Sequence, residues 1–226
     1  MWNDDEEDEY DISTELEGGI SKAIENWYNN NEMRIVIVEG YTGVGKSVYA
    51  LLTASYIYKT WDWNKLKNYF IYDPIELDEK SGSNASKRKP LLIWDDAGAW
   101  LNNKDYKDRW VKEACKYFQT ARTEWGCIML TTVDAENIVR DIREMKGRIL
   151  IQCMKNSSKR QPNRRLARIF TKWKTPDKKR QGEENHIDED FYLHHCDRDC
   201  YSEYEIYRRS FARKARRKMK EYRKDV

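Results

Sequence analysis

Eight consecutive residues constrain this chain more than any other feature: Gly40, Tyr41, Thr42, Gly43, Val44, Gly45, Lys46 and Ser47 form a complete G-x-x-x-x-G-K-[ST]. Before them runs Arg34 to Val38 (Arg-Ile-Val-Ile-Val), an apolar stretch suited to a strand buried on both faces. After them Val48, Leu51, Leu52, Ser55 and Tyr56 recur with helical spacing. A loop in that setting turns its backbone N–H groups inward on an anion, which requires backbone angles that glycine tolerates. Lys46 then reaches the outer phosphates as a point charge, Ser47 offers a hydroxyl to Mg²⁺, and the helix N-terminus adds partial positive charge. The nucleotide-binding stretch is therefore Gly40 through Val48.

The remaining pattern builds a sheet around that loop. Tyr69 to Tyr72, Leu91 to Trp94, Cys127 to Thr132 and Arg148 to Cys153 read as short strands, and Trp110, Val111, Ala114, Cys115 and Phe118 define a helix between two of them. Asn137 to Met145 reads as helical, and Glu79 to Pro90 as a loop. Leu16, Ile20, Ala23, Ile24 and Trp27 give an N-terminal docking helix within 13–29. Strands alternating with helices predict an α/β fold, a mostly parallel central sheet with helices on both faces.

A second chemical element follows the loop. Leu91 to Trp94 ends in Asp95 and Asp96, the form of a Walker B segment. Asp95 would hold Mg²⁺ and Asp96 polarise the attacking water. Many hydrolytic relatives carry Glu at the second place, and Asp is shorter. Forty-nine positions separate Lys46 from Asp95, enough for an intervening strand, which resembles the additional-strand P-loop ATPases rather than the kinase and GTPase branch. That resemblance implies a polar sensor at the end of the next strand, where Thr131 and Thr132 stand, with Thr132 taken as the sensor.

The segments 40–47, Ile-Trp-Asp-Asp-Ala-Gly-Ala-Trp-Leu at 93–101, Thr-Ala-Arg-Thr at 120–123 and Leu-Thr-Thr at 130–132 resemble, in that order, the small P-loop ATPases of archaeal viruses and conjugative plasmids. Some of these are similar to the AAA+ replication initiator DnaA. The resemblance covers about Arg34 to Cys153. It implies a P-loop NTPase fold, ATP and Mg²⁺ as cofactors, and a role in handling DNA during replication, transfer or packaging. It also implies a homo-oligomer in which a neighbouring subunit supplies an arginine. Arg122, Arg140, Arg143 and Arg148 are candidates, with Arg143 or Arg148 favoured by position.

Composition enters through its distribution. The net charge of +3 is a cancellation: residues 1–20 hold nine acids and no base, leaving 42 bases against 30 acids, or +12, in the rest. Lys155 to Gln181 carries eleven bases against Asp177, and Arg208 to Val226 ten against two acids. Segregated basic blocks raise local anion concentration and contact phosphates. The chain divides into an acidic disordered arm (1–12), an ATPase core (13–154) and a basic extension (155–226) ending in an amphipathic helix over 200–223. On that helix Tyr204, Tyr207, Phe211, Ala215, Met219 and Tyr222 form a stripe that packs on the core. Arg160, Arg164, Arg165 and Arg168, with Ile169, Phe170 and Trp173 beside them, and Arg213, Arg216 and Arg217 further on, are the candidate nucleic-acid contacts. No recognition-helix signature accompanies them, so binding is expected to be salt-sensitive with weak sequence preference.

Several classes drop out. No apolar run approaches the roughly 18 residues of a membrane span, and the acidic start is unlike an export signal, so the chain reads as intracellular, in the cytoplasm. Five cysteines make no disulfide framework and read as thiols. His194, His195, Cys196 and Cys200, with His186 nearby, fit no two-by-two zinc spacing. Two further readings stay open beside the ATPase: a nucleotide-gated DNA-binding module with little turnover, and a nucleotide or small-molecule kinase.

Overall fold

A computed structural model describes residues 19–81, 87–155, 163–174, 181–183 and 188–222. The acidic arm, His186 and Arg160 lie outside them. Helices α1 (Gly19–Asn29) and α2 (Lys46–Tyr58) flank strand β1 (Arg34–Glu39) in sequence, followed by α3 (Trp63–Leu66), β2 (Phe70–Ile71), α4 (Pro74–Ser81) and β3 (Lys89–Trp94). Helix α5 (Arg109–Thr120), β4 (Trp125–Thr131), α6 (Arg140–Arg143) and β5 (Ile149–Lys155) complete the core. Strands β6 (Arg164–Lys174), β7 (Gln181–Glu183) and β8 (Asp188–Leu193) and the long helix α7 (Arg198–Tyr222) follow.

The strand order is β2-β3-β4-β1-β5-β6-β7, with β8 paired to β6. Strands β2, β3, β4, β1 and β5 run parallel to their neighbours. Strands β6, β7 and β8 join antiparallel. Strand β4 lies between the loop strand β1 and the carboxylate strand β3, so those two strands are not neighbours; β4 follows Asp95 in sequence, whereas β2, the strand within the Lys46 to Asp95 interval, lies at the sheet edge.

The apolar run of β1 explains its central place. Val36 and Val38 belong to one buried cluster and Ile35 and Ile37 to the other, one on each side of the sheet. On the first side lie α1, α2 and α7, through Ile24, Leu51 and Tyr204. On the other lie α5 and α6, through Val111, Phe118 and Ile142. Each fully buried Leu, Ile or Phe contributes about 1.5–3 kcal/mol. Helix α2 is buried at ten of its thirteen positions, so it reads as a core helix rather than an amphipathic one.

Several sequence expectations change in detail. Glu79 to Ser81 continue helix α4, capped at its start where the Glu76 carboxylate accepts from the Tyr72 N–H at 2.8 Å, so the loop begins later than Glu79. The helix expected over Asn137 to Met145 shrinks to α6 and a 3₁₀ turn at Ala135–Asn137, because the Val139 N–H donates to Leu101 instead of extending a helix. Strand β6 lies along β5 over seven residue pairs and so extends the main sheet.

All five cysteines are free thiols and buried. Burial, with Asp141 adding, pushes the Cys115 thiol up to about 11. Burial likewise takes Cys153 and Cys200 to about 12. Thiolate is the reactive form. Iodoacetamide at pH 8 is therefore expected to modify fewer than one thiol per folded chain, and all five after denaturation, read by intact mass. Rapid labelling of the folded protein would contradict this packing.

Candidate nucleotide site

The loop between β1 and α2 is held open by backbone that glycine permits. Gly40 sits at φ +145°, and a Cβ there would lie 2.7 Å from the Cys153 carbonyl oxygen. Gly45 sits at φ +104°, where a Cβ would meet His194 Nδ1 at 2.6 Å. The Lys46 ammonium donates to the carbonyls of Gly40 at 2.6 Å and Tyr41 at 3.2 Å, bent across the loop it serves. Burial lowers its pKa, opposed chiefly by the charge of Asp96.

Ser47 is the second residue of α2, and its hydroxyl donates to both Asp95 oxygens at 3.0 and 3.2 Å, joining the loop to the end of β3. Asp95 is 1% exposed. It also accepts from Thr131 Oγ1 at 2.6 Å and from the Tyr204 hydroxyl of α7. Burial raises the Asp95 pKa, and the neighbouring Asp96 charge raises it further. A buried carboxylate beside a hydroxyl, in a dry setting that disfavours its charge, is a hard-oxygen pair that a divalent cation would suit.

Asp96 takes a left-handed conformation at φ 52°. Its Oδ2 accepts from Tyr72 at 2.6 Å and from Arg208 Nη2 at 2.7 Å, and its backbone N–H donates to Thr131 Oγ1 at 2.8 Å. The structure thus joins Thr131, not Thr132, to the Asp95 carboxylate and the Asp96 backbone. Neighbouring residues of a strand point to opposite faces, and the Thr132 hydroxyl donates instead to the Asp134 carbonyl at 3.0 Å.

A cavity of about 180 Å³ is lined by Thr42, Lys46, Ser47, Asp96, His194 and Arg208, among others. His194 lies against Gly45 of the loop with a lowered pKa, from burial and then from the nearby Arg165 charge. A larger cavity of about 700 Å³ between α4 and α5 shares no residue with the loop. The other expected residues lie elsewhere. Arg143 is paired with Glu136, and Arg148 is 2% exposed. Arg165 is 8% exposed, whereas Arg164 and Arg168 are half-buried on the other face of β6 and Arg213 is exposed. The side chains of Arg216 and Arg217 fall outside the described residues.

Tyr72, Tyr204 and Arg208 bond to the two carboxylates, and none of them stands in the loop or carboxylate motifs. The available signal was the spacing of Tyr204 and Arg208, four apart on one helix face.

The deciding observation is the strand order with the glycine loop at the end of its central strand. The fold is that of the P-loop NTPases. No family model matches the chain. In sequence it is similar to protein B-251 of Sulfolobus spindle-shape virus 1, 29% identical over 157 residues, covering 64% of this chain and 59% of that protein. The chain thus matches less than two thirds of that relative's length. In structure it is similar to the N-terminal domain of zonular occludens toxin from Neisseria meningitidis, with 13% identity, a TM-score of 0.39, and 69% and 95% of the two chains covered. It is also similar to the genome packaging NTPase B204 of Sulfolobus turreted icosahedral virus 2, with 13% identity, a TM-score of 0.37, and 68% and 98% covered. Among the described residues no helix is long and apolar enough to cross a membrane.

Proposed function

We propose that this P-loop NTPase is a Mg²⁺-dependent ATPase that works on DNA. The observation that carries the first half is the Ser47 to Asp95 hydrogen bond, which ties a buried carboxylate to a hydroxyl that lines one cavity with Lys46 and Asp96. The loop N–H groups and Lys46 would bind the β- and γ-phosphates, Lys46 exchanging the Gly40 and Tyr41 carbonyls for phosphate oxygens. Ser47 and Asp95 would hold Mg²⁺, which when bound neutralises phosphate charge. Asp96 would orient a water and accept its proton.

The DNA half rests on charge. Lys155 to Gln181 is +10, and Arg164 and Arg168 are accessible beside the half-buried Phe170. Arg168 also pairs with Glu189 at 3.1 Å, so a phosphate would compete with that carboxylate. A nucleotide-gated binding module with little turnover is the second reading, favoured by the engagement of Asp96 with two donors.

Phosphate release from ATP, measured with and without single- and double-stranded DNA, separates the two. Turnover that DNA stimulates and that Lys46→Ala lowers at least 100-fold supports the ATPase. ATP-dependent DNA binding without phosphate release supports the module. Phosphate transfer to a metabolite would overturn both.

A further inference from the structure

A cation that neutralises charge on the γ-phosphoryl group must present its guanidinium at the cavity. If it serves a neighbouring subunit, it must be presented at the surface. Neither favoured sequence candidate does so. The Arg143 side chain is 14% exposed and paired with Glu136, and Arg148 is 2% exposed. Arg208 does. It lines the cavity with Lys46, Ser47 and Asp96, with Nη2 at 2.7 Å from Asp96 and Nε at 3.9 Å from Asp95.

Helix α7 holds it there from within the same chain. Tyr204, one turn earlier on that face, is wholly buried, donates to Asp95 and packs edge-on to Trp63 at 5.5 Å. Cys200 and Phe211 are buried on either side of that turn, and Phe211 stacks on Tyr72 at 5.1 Å. This stretch of α7 is part of the core rather than a detachable lid, so Arg208 stands beside the carboxylates as a built element of the site.

We propose that Arg208 is the catalytic arginine of this chain, supplied in cis, and that it changes partner on nucleotide binding. Resting on the ATPase reading above, it holds Asp96 when the cavity has no γ-phosphate and turns to that phosphate when ATP enters. Its departure leaves Asp96 Oδ2 with Tyr72 as its remaining described side-chain donor. Asp96 can then receive the proton of the water whose oxygen bonds to the γ-phosphorus. The bond from that phosphorus to the bridging oxygen breaks, and the electron pair leaves on ADP. An arginine in this role is worth about 10³–10⁵ in kcat.

The test compares the full chain with R208A and R208K in phosphate release, in binding of a fluorescent ATP analogue and of its ADP counterpart, and in thermal melting. R208A is expected to lose about 10³-fold in kcat. It should also lose most of the preference for ATP over ADP, while ADP affinity stays within about threefold. R208K, which keeps the stem and one charge, is expected to melt like wild type and still lose at least tenfold; it carries the test if R208A does not fold. Because the arginine acts in cis, mixing R208A with D96N should give no more activity than the two measured apart. Restored activity in the mixture would overturn the in-cis assignment. R208A turning over within threefold of wild type, or an unchanged ATP-to-ADP preference, would overturn the catalytic role. Wild type that binds ATP yet releases no phosphate would overturn the ATPase reading and this role with it.

Discussion

Replacing Asp96 with Asn is expected to lower ATP turnover by about 10²–10⁴-fold while leaving ATP affinity within a few-fold of wild type. The amide keeps the shape of the carboxylate and still accepts from Tyr72, so the site should assemble. What it cannot do is take a proton from water. Asp96 lines the same cavity as Lys46, and in the proposed mechanism Lys46 and the loop N–H groups, not Asp96, hold the phosphates. Single-turnover phosphate release with equilibrium nucleotide binding separates the two effects. An Asn variant within tenfold of wild-type turnover would remove Asp96 from the chemistry. Equal loss of binding and rate would make it a binding group.

The second large effect falls on stability. Asp190, on β8, is fully buried and accepts from three groups far away in sequence: the Gly19 N–H at 2.9 Å, the Ile20 N–H at 3.4 Å and the Tyr49 hydroxyl at 2.5 Å. One carboxylate thus caps the start of α1 and anchors the first turn of α2. Its pKa is raised by burial, against the pull of these donors. Asp190→Ala strands a buried hydroxyl and uncaps a helix, and each orphaned donor costs about 1–3 kcal/mol. A loss of about 3 kcal/mol is expected, a fall in Tm of about 6–12 °C for a domain this size. Adding Tyr49→Phe should recover part of that loss, since removing both partners costs less than removing one. Calorimetry of the two single variants and the double decides; strictly additive losses would show that the hydroxyl and carboxylate are not coupled.

What was legible in the sequence follows from what is local. The glycine loop, its strand and its helix are contiguous, and their chemistry fixes their residue types. The Lys46 to Asp95 interval left room for a strand, but that strand, β2, lies at the sheet edge, and β4, which separates β1 from β3, comes after Asp95. Tyr72, Tyr204 and Arg208 were not legible as site residues, since an aromatic stripe on a helix reads as core packing, and Tyr204 is core as well as a donor to Asp95. Strand β8 escaped for a similar reason. Asp188–Leu193 is rich in acids, which argues against a strand, yet its inward position Asp190 has three donors to meet it. Tertiary partners overrode local propensity there.

The contact from Tyr204 to Asp95 spans 109 residues and that from Arg208 to Asp96 spans 112. As the chain leaves the ribosome, the loop and both carboxylates emerge long before the helix that completes them. A fragment ending at Leu193 would contain every motif that a sequence search detects and would still lack three of the side-chain contacts around its carboxylates. The order of synthesis therefore delivers the Tyr204 and Arg208 contacts of α7 after the loop and both carboxylates.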